Sequence, residues 1–230
     1  MQTPRGMREL DRLVSMLLFL LDGLWVTLTL TLGGALVATL SAFGAGLARL
    51  SRHWPVRALA ALYVDLFRGT SALVQLFWVF FVLPLFGLEL APMTTGILVL
   101  GLNIGAYGAE VVRGALRTVP VEQTDAAASL GFSETQTLWR VLLPQALPAI
   151  LPPFGNLLIE LLKGTALVSL ITLADLTFQG QLLRASTLRS GEVFAWVLVL
   201  YFIIAQLLVY GVGWLERRVG RFRAPTRELR

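Results

Sequence analysis

Cysteine is absent from the 230 residues, which excludes disulfides and thiolate metal sites. Histidine occurs once, as His53, and a lone histidine cannot build a multi-histidine metal centre. It shares a turn with Arg49, Arg52 and Arg57 and reads as a solvated loop residue. Lysine also occurs once, as Lys163, so arginine carries the basic excess. Charge is scarce: 14% of residues are charged and 56% hydrophobic, against about 25% charged in a soluble domain. No G-x-x-x-x-G-K-[ST] phosphate cradle, nucleophile–base arrangement or metal cluster occurs. The chain is therefore expected to hold no catalytic residue, no metal and no cofactor of its own.

What the sequence does have is long apolar stretches. Gly23 to Ala48 carries no charge at all, longer than the roughly 20 apolar residues that cross a bilayer. One such run fits a buried soluble helix, but several in a chain this short point to an all-α integral membrane fold. We expect five core transmembrane helices, near residues 24–47, 70–85, 93–112, 146–162 and 193–215. The whole membrane domain covers 23–215. Residues 1–22 are expected as a short interfacial segment; a cleaved signal peptide fits less well because no A-x-A site follows the apolar core. Ala58–Phe67 is interrupted by Asp65 and bounded by Arg68, which places it at the inner interface. The stretch 163–192 mixes apolar runs with Asp175, Arg184 and Arg189 and is expected outside or partly re-entrant.

Nineteen basic residues against fourteen acids would point to nucleic acid in a soluble protein. Here the excess collects at span ends, so we read it as a topology signal and expect membrane lipid, not nucleic acid, as the surroundings. The tail 216–230 holds six arginines and two glutamates, and the Arg49–Arg57 turn three arginines and no acid. With five spans, both lie inside only if the N-terminus is outside and the C-terminus cytoplasmic.

The polar segment 113–145 is long for a connection, and long ordered loops are usually functional. Pro120 suits an early helical position, and Glu122 and Asp125 favour the positive end of a helix. Gly131 can take the left-handed conformation that ends it. Ser133 with Gln136 is a capping-box pattern opening a second helix. Leu138, Trp139, Val141 and Leu142 give that helix apolar anchors, and Pro144 is expected to end it. The segment thus reads as a helix–Gly–helix knob on the cytoplasmic face.

Asp125-Ala126-Ala127, then Gly131, then Val141, Leu143 and Pro144 at fixed spacing resemble the EAA loop of type I ABC importer permeases. Asp125 stands where that family has Glu, and Val141 where it has Ile. The resemblance implies a coupling helix that docks into a groove on a separate ATPase. It also implies a second permease subunit, two ATPase subunits that bind ATP and Mg, an extracytoplasmic solute-binding protein, and a bacterial plasma (inner) membrane location. Tyr63–Thr70, Val74-Gln75-Leu76, Ala106–Gly114 and Lys163–Ile171 are similar to the polar amino-acid subfamily, most of whose members have Pro where Ser71 stands. Within it, Arg68–Pro84 and Leu173–Gln181 most resemble an ectoine/hydroxyectoine permease. That cargo is the expectation; glutamine, glutamate or a basic amino acid is the alternative. A self-contained secondary transporter is more distant, because it leaves the knob unexplained and this chain shows no internal repeat.

Ionisable residues within a membrane are costly and point to function by default. Asn103, Tyr107 and Glu110 fall at i, i+4, i+7 and would form one polar stripe on an apolar helix; Asn156, Glu160 and Lys163 do the same on another. These six residues are the candidate pathway for a zwitterion, and packing against the second permease explains them equally well. Asp65/Arg68, Glu110/Arg113 and Glu160/Lys163 stand at i, i+3 and are expected to neutralise one another in pairs. Trp78, Phe80, Phe81 and Phe86 offer an aromatic surface for a cation, or anchors at the membrane interface.

Overall fold

The computed structural model describes residues 5–220, with side chains from 14 to 219. The outermost parts of the expected N-terminal segment 1–22 and tail 216–230 lie outside the described residues. Nine α-helices follow one another among the described residues: α1 Arg5–Ala48, α2 Trp54–Gly69, α3 Ala72–Phe77, α4 Pro92–Arg117, α5 Val121–Ser129, α6 Glu134–Thr137, α7 Leu143–Gly164, α8 Leu176–Thr187 and α9 Ser190–Gly220. No strand occurs among the described residues. Among the described residues four apolar stretches are long enough to cross a membrane: Val14–Ala48, Pro92–Arg117, Glu134–Ile171 and Ser190–Val219. Trp54–Gly69 and Ala72–Phe86, which meet at 105°, pass the same test only together, and taken as one broken span two they make a fifth. The expected interfacial helix and span one are a single continuous helix, because nothing between Arg5 and Ala48 breaks it: no proline, and no glycine in a left-handed conformation.

The centre of the fold is the pair α1 and α4, which run parallel. Gly33 meets Ile97, Val37 meets Gly101 and Ala42 meets Gly108, so residue numbers rise together along both helices. Small residues permit this approach, as in other membrane helix pairs. A Cβ at Gly101 would lie 2.6 Å from the Val37 Cβ and 2.9 Å from the Gly34 carbonyl oxygen, both on a facing backbone that cannot swing away. Gly101→Val is therefore expected to force the two helices apart, at about 3 kcal/mol or more. Recovery of monodisperse protein in detergent, compared with wild type, measures this.

Two π turns each lead into a Leu-Pro pair. Trp78–Val82 precedes Leu83-Pro84, and Leu138–Leu142 precedes Leu143-Pro144. Proline lacks the N–H that an α-helix would donate back to the carbonyl four residues earlier, and its ring crowds that carbonyl. A single wider turn absorbs the conflict without ending the helix. This corrects the expectation for Pro144: it does not close the second knob helix but stands in the first turn of α7.

Residues 163–192 continue α7 as a 3-10 helix, Thr165–Ile171, then turn at Thr172 with φ +68° into α8. Asp175 caps α8, its fully buried carboxylate accepting from the Phe178 N–H at 2.9 Å, the Thr177 N–H at 3.2 Å and the Tyr201 hydroxyl at 3.3 Å. Burial pushes this carboxyl above its usual range, against the hydrogen bonds that pull it down. The Leu176 N–H donates to Thr27 Oγ1 at 3.1 Å. With α8 packed on Met16, Leu20 and Leu24 of α1, this region sits at the end of the molecule opposite the Arg49 turn.

Candidate functional site

The segment between α4 and α7 folds as the knob its sequence describes. α5 closes with two bonds that define a left-handed helix end: the Phe132 N–H donates to the Ala127 carbonyl at 3.0 Å, and the Gly131 N–H to the Ala128 carbonyl at 2.9 Å. Gly131 has φ +78° between them. The next residues form a complete capping box, with the Gln136 N–H on Ser133 Oγ at 3.3 Å and the Ser133 N–H on Gln136 Oε1 at 2.9 Å. Ala127 is buried, while Asp125 and Ala126 are exposed on α5. Val141 is half-buried, Leu143 buried and Pro144 exposed at the foot of α7. Leu143 joins Ala115, Leu116, Ala146 and Ile150 in one apolar cluster. Leu138 and Leu142 pack against the same cluster, which seats the end of the knob on α4 and α7.

An ionic cluster lies between the knob and the membrane helices. Glu110 of α4 receives three guanidinium groups: Arg49 from the end of α1, Arg113 one turn along α4 with Nη2 at 2.6 Å, and Arg68 from the end of α2 at 3.5 Å. Nearby, Arg52 pairs with Glu134 of the knob at 2.7 Å. Of the three expected i, i+3 pairs, only Glu110/Arg113 forms. Arg68 turns away from Asp65 to the Glu110 carboxylate, where its Cζ also lies 5.3 Å from the centre of the Tyr107 ring. Glu160 and Lys163 make no ion pair among the described residues. Glu110→Gln would leave three partly covered cations without their shared carboxylate. The expected loss is about 1–2 kcal/mol, between the values for exposed and fully buried pairs. A lower melting temperature in detergent, less marked at high salt, is the readout.

The two polar stripes have different surroundings. On α4, Asn103 is buried and donates to the Phe67 carbonyl at 3.0 Å and to Gln75 Oε1 at 3.1 Å. Tyr107 lies under Arg68, and Glu110 gathers the arginines. This stripe meets the end of α2. On α7, Asn156, Glu160 and Lys163 are all exposed on an otherwise apolar helix. A cavity of about 540 Å³ opens where span two breaks, lined by Phe67, Thr70, Gln75, Trp78, Val99 and Leu102 among others. Of the four aromatics, Trp78 lines it, Phe81 and Phe86 are exposed, and Phe80 packs on the core. Arg49, expected only as part of the basic turn, is a partner of Glu110; its place just past the end of span one was the available signal.

The sequence matches the family described as "Binding-protein-dependent transport system inner membrane component" over residues 34–221. It is 47% identical to the "Probable amino-acid ABC transporter permease protein y4tF" of Sinorhizobium fredii, over 89% of each chain. It is 35% identical to the "L-cystine transport system permease protein TcyB" of Bacillus subtilis, covering 88% of this chain and 87% of that one. Among solved structures, an amino acid ABC transporter with histidines matches at TM-score 0.82 and 32% identity, covering 95% of this chain and 100% of the other. An all-helical bundle with one broken span, a seated knob between α4 and α7, and these matches along nearly its whole length place the chain in the binding-protein-dependent transport family, as the membrane-spanning permease subunit of an ABC importer.

Proposed function

We propose that this permease carries a polar amino acid. The observation that carries the reading is the bare stripe on α7. A charged side chain turned to lipid costs several kcal/mol, roughly 2.5–3.5 at mid-span by insertion measurements. Asn156, Glu160 and Lys163 therefore face either a water-filled path or a neighbouring subunit. An acid, a base and an amide along one face match the two charged ends of a zwitterion. The relatives point the same way, since they are described as amino-acid and L-cystine permeases. They favour the amino-acid alternative over ectoine, whose likeness then reflects shared ancestry.

In this reading a second permease completes the path, two ATPase subunits bind ATP and Mg, and an extracytoplasmic binding protein delivers cargo. The exposed knob residues Asp125, Ala126 and Gly131 meet the ATPase on the cytoplasmic face, held by the buried Ala127, with the N-terminus outside. Closure of the ATPases moves the knob, and the clusters around Leu143 pass that motion to α4 and α7. Cargo shifts the balance only if it binds the two states differently. The test is ATPase stimulation of the reconstituted complex across glutamine, glutamate, cystine, arginine and ectoine. Stimulation by one of the amino acids supports the proposal; stimulation by ectoine alone overturns it.

A further inference from the structure

Span two breaks by 105° between Gly69 and Ala72, yet the break contains no proline, and the Ser71 hydroxyl caps neither helix. A break in a helix leaves the last carbonyls before it without their helical donors, and in apolar surroundings each must find another. Here the Thr70 hydroxyl donates to the Leu66 carbonyl at 2.8 Å, and two side-chain amides supply the next. Gln75 Nε2 donates to the Phe67 carbonyl at 3.0 Å and approaches the Thr70 carbonyl at 3.3 Å. Asn103 Nδ2, from α4, donates to the same Phe67 carbonyl at 3.0 Å and to Gln75 Oε1 at 3.1 Å. Both hydrogens of the Asn103 amide are thereby committed within the fold. The Tyr63 hydroxyl, donating to the Leu102 carbonyl at 2.6 Å, secures α2 to α4 one turn earlier.

The backbone at the break is one that proline would favour. Ser71 has φ −69° and ψ 133°, inside the range the pyrrolidine ring imposes. Thr70 before it is extended, at φ −127° and ψ 154°, as a residue preceding proline must be. The Ser71 N–H makes no backbone hydrogen bond that proline would remove.

We infer that Asn103 and Gln75 are positioning residues whose amide pair does the work of a proline, holding span two broken and so shaping the cavity wall formed by Phe67, Thr70, Gln75 and Trp78. A break held by hydrogen bonds is released when they are lost; a break held by proline is not. Ser71→Pro should therefore make Asn103 dispensable, which a residue that binds cargo directly would not become.

Only the uptake readout rests on the transport reading; the shape of span two is measured without it. Because the chain has no cysteine, spin labels on Leu59→Cys and Phe81→Cys, both on exposed sites, report the distance across the break. Asn103→Ala is expected to broaden that distance distribution and to lower uptake about tenfold, the effect of losing one or two such hydrogen bonds. Adding Ser71→Pro is expected to restore the narrow distance and bring uptake back to within about threefold of wild type. If Asn103→Ala does not assemble, Gln75→Met, which removes the donors at similar length, carries the same comparison. An unchanged distance in the amide variants overturns the inference. So does an uptake loss that persists after Ser71→Pro has restored the distance, which would move Asn103 to direct cargo contact.

Discussion

Replacing Gly131 with valine is expected to lower uptake at least tenfold while the subunit still assembles. Gly131 sits at φ +78° and ends α5, with no neighbouring atom within 4 Å of where a Cβ would be. The cost is therefore conformational rather than steric crowding by neighbours. A β-branched residue resists the left-handed region, by more than the roughly 1–2 kcal/mol that an ordinary side chain meets there. The bonds from Phe132 to Ala127 and from Gly131 to Ala128 depend on that conformation. Once they are lost, α5 no longer has a fixed pose relative to α6 and α7. Gly131→Asn, which tolerates the same region, is expected to keep most of the activity. Uptake and ATPase rate, measured together, separate uncoupling from simple loss of protein: ATP turnover should persist in Gly131→Val while uptake falls. Equal wild-type uptake in both variants would remove the knob from the transmission path.

Glu160→Ala is expected to lower uptake by about tenfold or more and to leave the assembled complex intact, because Glu160 makes no ion pair among the described residues. Its neighbours on the stripe, Asn156 and Lys163, are equally exposed. Removing a group that meets cargo changes the apparent affinity or the turnover; removing one that meets the second permease changes assembly. Kinetics at several cargo concentrations, together with the elution profile of the complex, distinguish the two. Unchanged kinetics would assign Glu160 to subunit packing.

The features legible in the sequence were those written in local spacing. Ser133 and Gln136 stand three apart, and the capping box formed. Gly131 was placed at a helix end, and it has the positive φ that the end requires. The apolar periods located the spans, with α7 extended at both ends beyond the expected 146–162. What local spacing does not record is the choice among distant partners. Arg68 was paired with Asp65 because they are neighbours on one helix, yet Glu110 takes it together with Arg49, 61 residues away along the chain. The place of the break was legible, since the expected span two begins at 70 after an interfacial stretch 58–67; what holds it was hidden, because it includes Asn103 on another helix. Pro144 misled for a different reason. Proline's local preference is to end a helix, but a π turn let the chain continue into an apolar span whose burial outweighs one lost hydrogen bond.

The most direct test of the account is uptake of a radiolabelled polar amino acid into proteoliposomes holding the complete complex and its binding protein, with and without ATP on the side of the ATPase subunits. The account predicts uptake that requires ATP, requires the binding protein, and is lost in Gly131→Val. Uptake driven by an ion gradient through this chain alone, with no ATPase present, would contradict it.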